Sequence, residues 1–200
     1  MSKKSSNFAA EMEKEAKTSY LTIEAKAEGL YKDKGSRFLA FAEPVCTEDD
    51  IRERLACYRK EYHDARHVCF AYKLGEISRS SDDGEPSGTA GRPIMGRIES
   101  AGLDRILIVV VRYFGGILLG TGGLVVAYRE ATADALAHAR IIEKEITVEH
   151  TLRFSAERLH EVMALVKETD ARIVNQNWDG AECEMTLEVP LSNKEKFNNI

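Results

Sequence analysis

Residues 106–137 have the sequence ILIVVVRYFGGILLGTGGLVVAYREATADALA, and this stretch predicts a strand, a loop and a helix in succession. The first six residues are apolar and mostly β-branched, a pattern typical of a strand buried on both faces. Five glycines then occur within nine residues, between Gly115 and Gly123, and we call residues 115–123 the glycine loop. Leu124, Tyr128 and two alanines follow at helical spacing, so a helix is expected directly after the loop.

The glycine loop has two interpretations. A strand, a glycine loop and a helix N-terminus in this order can direct several backbone N–H groups towards one anion. Alternatively, the glycines permit positive φ angles and close backbone packing without binding a ligand. The stretch matches neither the P-loop pattern nor the dinucleotide-binding glycine pattern, so both interpretations stay open. The candidate contact residues are Gly115, Gly116, Gly120, Gly122 and Gly123.

The composition is that of an ordinary globular protein with enough chain for one or two domains. Of the 200 residues, 44% are hydrophobic and 30% are charged. No segment approaches 18 consecutive apolar residues, and the first twenty residues lack an apolar signal-peptide core, so we predict no membrane partner. The four cysteines are scattered without metal-ligand spacing, which is typical of a reduced, cytoplasmic protein.

The charges are unevenly distributed along the chain. Residues 1–140 carry 21 basic and 21 acidic side chains, whereas residues 141–200 carry 7 and 12. The formal net charge of −5 therefore lies in the C-terminal part, which is a poor candidate for nucleic-acid binding by itself. Between residues 86 and 129 five arginines accompany only two acidic residues, so a basic patch would have to lie near the glycine loop.

The hydrophobic pattern divides the chain into three parts and predicts an α+β fold class. Residues 1–19 are polar and are expected to form a leader. Residues 20–140 form an N-terminal domain that begins with a strand at 20–30 and whose first helix is capped by Thr47. Residues 141–200 show the order strand, helix, strand, strand and the start of a helix, which is a ferredoxin-like unit without its last strand.

The longest predicted loop, residues 78–91, contains Asp82, Asp83 and Glu85 within four positions. Carboxylates at this density could hold Mg²⁺ or Ca²⁺, although the spacing is not that of an EF-hand. Asp, Gly, Pro and Ser also form tight turns, and we predict a structured contact loop with no metal and no other cofactor. We call residues 81–91 the acidic loop and expect it to meet the glycine loop at one end of the N-terminal sheet.

Basic side chains flank the predicted site. Arg66 precedes the strand predicted at residues 67–74, and His67 is the first residue of that strand. Arg112 ends the strand that leads into the glycine loop. Arg112 either pairs with Asp82 or Asp83 and so braces the two loops, or it binds a phosphate or carboxylate of a ligand. The neighbouring Tyr113 could serve as a stacking platform.

A nucleophilic cysteine is the second chemistry that the sequence allows. Cys69 lies on a predicted strand shortly after His63 and Asp64, so a Cys/His/Asp arrangement has to be considered. A cysteine at a buried strand position is more often an inert small hydrophobic residue. We therefore predict no catalytic residue.

Three segments together closely resemble the IMPACT/YigZ family: DARH at 64–67, SDDGEPSGTAG at 81–91, and VRYFGG at 111–116 with its continuation to Leu124. With the flanking strands the resemblance covers about residues 30–140. It implies that the N-terminal domain has the fold of the second domain of ribosomal protein S5. The C-terminal part resembles the small ferredoxin-like domain of the bacterial members, which is similar to a domain of elongation factor G.

The resemblance also implies a role in the control of translation, because eukaryotic members bind a ribosome-associated activator and so restrain a stress kinase. We predict a regulatory binding module that contacts the ribosome, RNA or a translation factor. The predicted ligand-binding residues are the five glycines named above together with Arg66, His67, Asp82, Asp83, Glu85, Arg112 and Tyr113. Val126 stands where family members commonly carry a basic residue, which weakens the case for RNA.

Two other functions remain as alternatives. The first is an enzyme acting on a phosphorylated or peptide-like small substrate, which would need His67 or the acidic cluster as a general base. The second is a pure protein-interaction adaptor, which fits the acidic C-terminal domain best.

Overall fold

A computed structural model describes residues 17–197, which form two compact units. The N-terminal unit is Leu21–Glu143, and the C-terminal unit combines residues 144–197 with residues 17–20. Most of the predicted leader therefore lies outside the described residues. Strands and helices occur in both units, and the predicted two-domain α+β fold class is confirmed. The domain limits at residues 140 and 141 stay a prediction. No helix between residues 17 and 197 is long and apolar enough to cross a membrane.

The described residues form ten strands and four α-helices. In chain order these are β1 (Ser19–Ile23), β2 (Ala27–Asp33), β3 (Ser36–Pro44), α1 (Glu48–Glu61), β4 (His67–Leu74), β5 (Ile77–Ser81), α2 (Gly91–Ser100), β6 (Ile106–Tyr113), α3 (Gly120–Ala137), β7 (Ile141–Glu145), β8 (Thr147–Ser155), α4 (Leu159–Glu168), β9 (Arg172–Asp179) and β10 (Glu182–Pro190). Short 3₁₀ helices occur at Ala156–Arg158 and Leu191–Phe197.

The N-terminal unit contains an antiparallel sheet with the strand order β2-β3-β6-β4-β5. Helix α1 packs on one face of this sheet, and helices α2 and α3 pack on the other. The N-cap predicted at Thr47 is present, and it forms a capping box because Thr47 and Asp50 exchange side-chain to backbone hydrogen bonds. The glycine loop connects the central strand β6 to α3.

Strand β6 is buried on both faces, as predicted. Ile106, Ile108 and Val110 pack against α2 and α3, whereas the residues between them pack against α1. The alternation continues to the end of the strand, because successive side chains of a strand point to opposite faces. Arg112 therefore lies on the α3 side over Phe38, and Tyr113 lies on the α1 side.

The C-terminal unit contains an antiparallel sheet with the order β8-β10-β9, and α4 packs on one of its faces. The predicted order of strand, helix, strand and strand is confirmed. All eight residues of β9 are exposed, including Trp178, whose ring contacts Phe154 edge-to-face.

Three sequence predictions about element limits are wrong. The single strand expected at residues 20–30 is two strands, β1 and β2, and β1 pairs with β7. The loop expected at residues 78–91 begins with the edge strand β5, whose polar, exposed residues show no apolar alternation. Helix α3 begins at Gly120, inside the glycine loop. The sequence did not predict this start, because the apolar residues at helical spacing begin only after the first turn.

Candidate functional site

Asp82 organises the acidic loop from within. Its carboxylate accepts hydrogen bonds from the backbone N–H groups of Gly88 (2.8 Å), Ala90 (2.9 Å) and Gly91 (2.8 Å). Burial alone would raise the pKa of this carboxyl, but the three N–H groups outweigh it, so the pKa lies below its usual value. Within residues 17–197 no group of three or more His, Cys, Asp or Glu is arranged to hold a metal ion.

Asp83 fixes the orientation of His67. The Asp83 carboxylate accepts the backbone N–H of Val68 at 2.7 Å, and its carbonyl oxygen lies 2.7 Å from Nδ1 of His67. A carbonyl oxygen can only accept, so Nδ1 carries the proton and Nε2 is the nitrogen left for another partner. Asp83 thus positions a neighbouring side chain, and its predicted ligand-binding role stays a prediction.

Glu85 is the buried centre of the site. Its Oε1 accepts hydrogen bonds from Nη1 of Arg112 (2.6 Å) and from the Tyr128 hydroxyl (2.8 Å), and its Oε2 lies 3.8 Å from Nε2 of His67. The exposed fractions of the Glu85 and Arg112 side chains are 3% and 6%. The prediction that Arg112 pairs with Asp82 or Asp83 is therefore wrong, because Glu85 is its partner. Nε of Arg112 is buried and has no hydrogen-bond partner within residues 17–197.

Cys69 is part of the same buried interior. Its Sγ donates to the carbonyl oxygen of Asp82 at 3.0 Å and lies 3.3 Å from the Tyr128 hydroxyl oxygen. Burial raises the pKa of the Cys69 thiol to about 12, so the thiol stays protonated near neutral pH. The geometry is that of an inert cysteine, as expected, and not that of an activated nucleophile.

The glycines of the glycine loop are required for different structural reasons, and packing does not require all of them. A Cβ at Gly115 would collide with the backbone of Gly35 and Ser36, so close packing requires glycine there. Gly116 and Gly120 have φ angles of +87° and +74°, which favour glycine. A Cβ at Gly122 would meet no neighbouring atom within 4 Å. Packing therefore explains only part of the glycine content.

The glycine loop also exposes large apolar side chains. The exposed fractions are 48% for Phe114, which precedes the loop, 56% for Ile117 and 81% for Leu118. The first turn of α3, which follows, contains no acidic residue, and the N-cap residue Leu119 makes no side-chain capping bond. Exposed apolar side chains beside uncapped backbone N–H groups are unusual on a surface without a partner.

A cavity of about 480 Å³ lies between the two loops. It is lined by Arg66, His67, Glu85, Pro86, Arg112, Phe114, Leu118, Leu119, Gly120, Thr121 and Leu124. The two loops thus meet at one end of the sheet, as expected. Apolar side chains form much of the lining, and two arginines and a histidine provide its basic groups.

The structure does not bring all the predicted residues to this cavity. Asp82 and Asp83 are used inside the acidic loop, and Gly115, Gly116, Gly122 and Gly123 are not among the lining residues. Tyr113 lies on the opposite face of the sheet, where its hydroxyl donates to Asp64 at 2.9 Å and Arg37 covers its ring. Since Arg37 occupies one ring face, the predicted stacking role of Tyr113 loses support. Tyr113 instead borders a neighbouring open surface with Arg66, His67 and Phe114.

Sequence reasoning missed several residues of the site. The sequence indicates Tyr128 only as part of the apolar face of α3, although its hydroxyl binds Glu85. Phe114 and Leu118 stand out in the sequence only as neighbours of glycines. The available signal was the presence of large apolar side chains in a loop whose other residues are mostly glycine.

The chain is similar to several known proteins. The model of the Impact N-terminal domain matches residues 34–136. A Thermus thermophilus protein, "IMPACT family member in pol 5'region", is 51% identical over 104 residues, which cover 52% of this chain and 56% of that protein. The chain thus spans little more than half the length of this relative. "IMPACT family member YigZ" of Escherichia coli K12 is 38% identical over 150 residues, which cover 72% of this chain and 74% of that protein.

A solved structure is similar to this chain over nearly the whole length. It is described as "Crystal structure of an hypothetical protein" and is 33% identical, with a TM-score of 0.73. The similarity covers 91% of this chain and 90% of that chain. The matched domain, the relatives and the motifs at both loops lead to one conclusion: the chain belongs to the IMPACT family.

Proposed function

We propose that this protein is a translation-associated regulatory binding module that contacts the ribosome or a ribosome-bound factor. The contact surface would be the glycine-loop face, which we define as Arg66, His67, Phe114, Leu118 and the first turn of α3. The observation that carries the proposal is the cavity between the two loops, bordered by the exposed side chain of Leu118. Membership of the IMPACT family supplies the connection to translation.

The glycine-loop face favours binding over catalysis. The acidic residues are engaged, because backbone N–H groups occupy Asp82 and Asp83, and Arg112 and Tyr128 hold Glu85. The thiol of Cys69 is buried and protonated. His67 is then the side chain left to act as a general base. The potential nucleophile among the described lining residues is the Thr121 hydroxyl, and no hydrogen bond within residues 17–197 joins it to His67. An enzyme therefore has less support than a binding module.

Sedimentation of the full-length protein with purified ribosomes, over a salt series from about 50 to 200 mM, tests the proposal. We expect co-sedimentation that weakens only moderately with salt, because the face combines apolar side chains with few cations. A contact made mainly to RNA phosphates would instead weaken steeply. If the protein sedimented with ribosomes at none of these salt concentrations, the result would contradict the proposed function.

A further inference from the structure

The charges around the cavity leave one positive charge without a partner. The charge of Arg112 is offset by Glu85, with which it forms a buried ion pair. Arg66 also lines the cavity and forms no ion pair within the described part of the chain. With His67 left aside, the side chains of the lining therefore carry a net formal charge of about +1. This charge complements a monoanion, whereas a phosphate dianion would place a second negative charge beside Glu85.

Hydrogen-bond donors for such an anion also belong to residues that line this cavity. Nε of Arg112 is buried without a partner among the described residues, and the side chain lines the cavity. The first turn of α3 adds backbone N–H groups at Gly120 and Thr121, which border the same cavity. A carboxylate matches these donors, because guanidinium and backbone N–H groups bind carboxylates through charge-assisted hydrogen bonds.

The same cavity requires an apolar group close to the anion. The guanidinium carbon of Arg112 lies 5.7 Å from the centre of the Phe114 ring, and Leu118, Leu119 and Leu124 complete the apolar lining. In the last residue of a polypeptide the carboxylate carbon is only two bonds from Cβ. A single residue therefore places a negative charge and an apolar side chain next to each other. An acidic side chain inside a peptide is farther from the next apolar side chain.

From this match we infer that the cavity binds the C-terminal carboxylate of a partner polypeptide that ends in an apolar residue. The inference rests on the proposed function, because it takes the glycine-loop face as the contact surface and names the group that this face recognises. The carboxylate lies against Arg66, Arg112 and the first turn of α3, and the terminal side chain packs against Phe114 and Leu118.

Titration of the ¹⁵N-labelled full-length protein by NMR tests the inference with defined probes. Acetyl-leucyl-leucine with a free carboxylate should shift the amide signals of Gly120 and Thr121. Its C-terminal amide should bind at least about tenfold more weakly, because the charge-assisted hydrogen bonds are lost. Acetyl-glutamyl-leucine amide, which carries the charge on a side chain, should also bind more weakly than the free acid.

Variants of exposed residues separate the site from general effects on the fold. Arg66→Gln should weaken binding of the free acid about fivefold, and Arg79→Gln, an exposed arginine of β5 outside the cavity, should leave it unchanged. Leu118→Ser should weaken it about tenfold, and Leu30→Ser, a half-exposed leucine of β2, should not. Thermal unfolding of each variant confirms that it is folded.

Several results would overturn the inference. One is equal or tighter binding of either amide probe, and another is the absence of any shift by the free acid. A third is a shift of the same amides by inorganic phosphate or a single-stranded oligouridylate but not by the free acid, which would assign the site to phosphate or RNA. If the protein sediments with ribosomes but the free acid does not bind, the proposed function stands and the inference alone fails.

Discussion

The two loops that meet at the cavity are opposite in character. The acidic loop uses its polar groups internally, because Asp82, Asp83 and Glu85 each bind partners within the N-terminal unit. The glycine loop does the reverse, since it leaves apolar side chains exposed and the first turn of α3 uncapped. A loop rich in charges is thus mainly structural here, and a loop almost without charges is the candidate contact surface.

This difference warns against assigning function from charged residues alone. A carboxylate that already accepts two or three hydrogen bonds has little capacity left for a ligand. An exposed leucine beside unpaired backbone donors has no internal partner to lose. Substitutions in the acidic loop should therefore affect stability first, and substitutions of exposed residues in the glycine loop should affect binding first.

The largest effect is expected for Glu85→Ala. The substitution leaves the Arg112 guanidinium buried without its carboxylate, and loss of one member of a buried ion pair typically costs about 3–5 kcal/mol. Urea unfolding of the purified variant measures this loss. Glu99→Ala, which removes an exposed carboxylate of α2, serves as the control and should change the free energy of unfolding by less than about 0.5 kcal/mol. Equal effects of both substitutions would mean that Glu85 is not a brace.

Gly115→Ala should have the next largest effect. It tests the position of the glycine loop at which close packing requires glycine. The new Cβ would meet the backbone of Gly35 and Ser36, which cannot move aside as a flexible side chain can. We expect a loss of about 3 kcal/mol or more in the free energy of unfolding. Thermal unfolding followed by circular dichroism is sufficient to detect it, and an unchanged melting temperature would contradict the close packing.

Asp82→Asn should lower the free energy of unfolding by about 2 kcal/mol at pH 7, because three backbone N–H groups lose a charged acceptor. The folded-state pKa of Asp82 lies below its usual value, so its contribution is present above the unfolded pKa of about 3.9 and is lost as the pH falls through the folded pKa. Urea unfolding at several pH values should show the difference between wild type and variant shrinking below about pH 4. Asp179→Asn, at an exposed position, is the control, and a difference independent of pH would refute the assignment.

The smallest effect on stability, and one of opposite sign, is expected for Gly122→Ala. Gly122 lies in the first turn of α3 with open space where the methyl group of alanine would stand, and alanine favours the helix by about 0.5–1 kcal/mol. The melting temperature should rise slightly. If the glycine-loop face makes the proposed contact, the added methyl group should at the same time weaken sedimentation with ribosomes. A variant that binds ribosomes as well as the wild type would show that Gly122 lies outside the contact.

The sequence was sufficient for those parts of the fold in which one physical signal dominates. The apolar run of β6 and the N-cap at Thr47 each reflect a single strong preference, and both were predicted correctly. Strands β5 and β7 were missed because they are short, mostly polar and mostly exposed, so they show no apolar alternation.

The candidate site was predictable only in outline. The motifs and the order of the elements predict that the two loops form the site. They do not predict which carboxylate pairs with Arg112. Which carboxylate reaches the guanidinium depends on the path of the acidic loop, and that path turns at Asp83 and Gly84, which have φ angles of +43° and +82°. This turn directs Asp83 towards Val68 and leaves Glu85 to reach Arg112.

Amide hydrogen exchange of the full-length protein, with and without ribosomes, shows whether the glycine-loop face is the contact surface. We predict slower exchange in the presence of ribosomes at residues 115–123 and at Arg66 and His67, with no change in β9 of the C-terminal unit. Protection confined to the C-terminal unit, or exchange at residues 115–123 that ribosomes leave unchanged, would contradict the claim that the glycine-loop face is the contact surface.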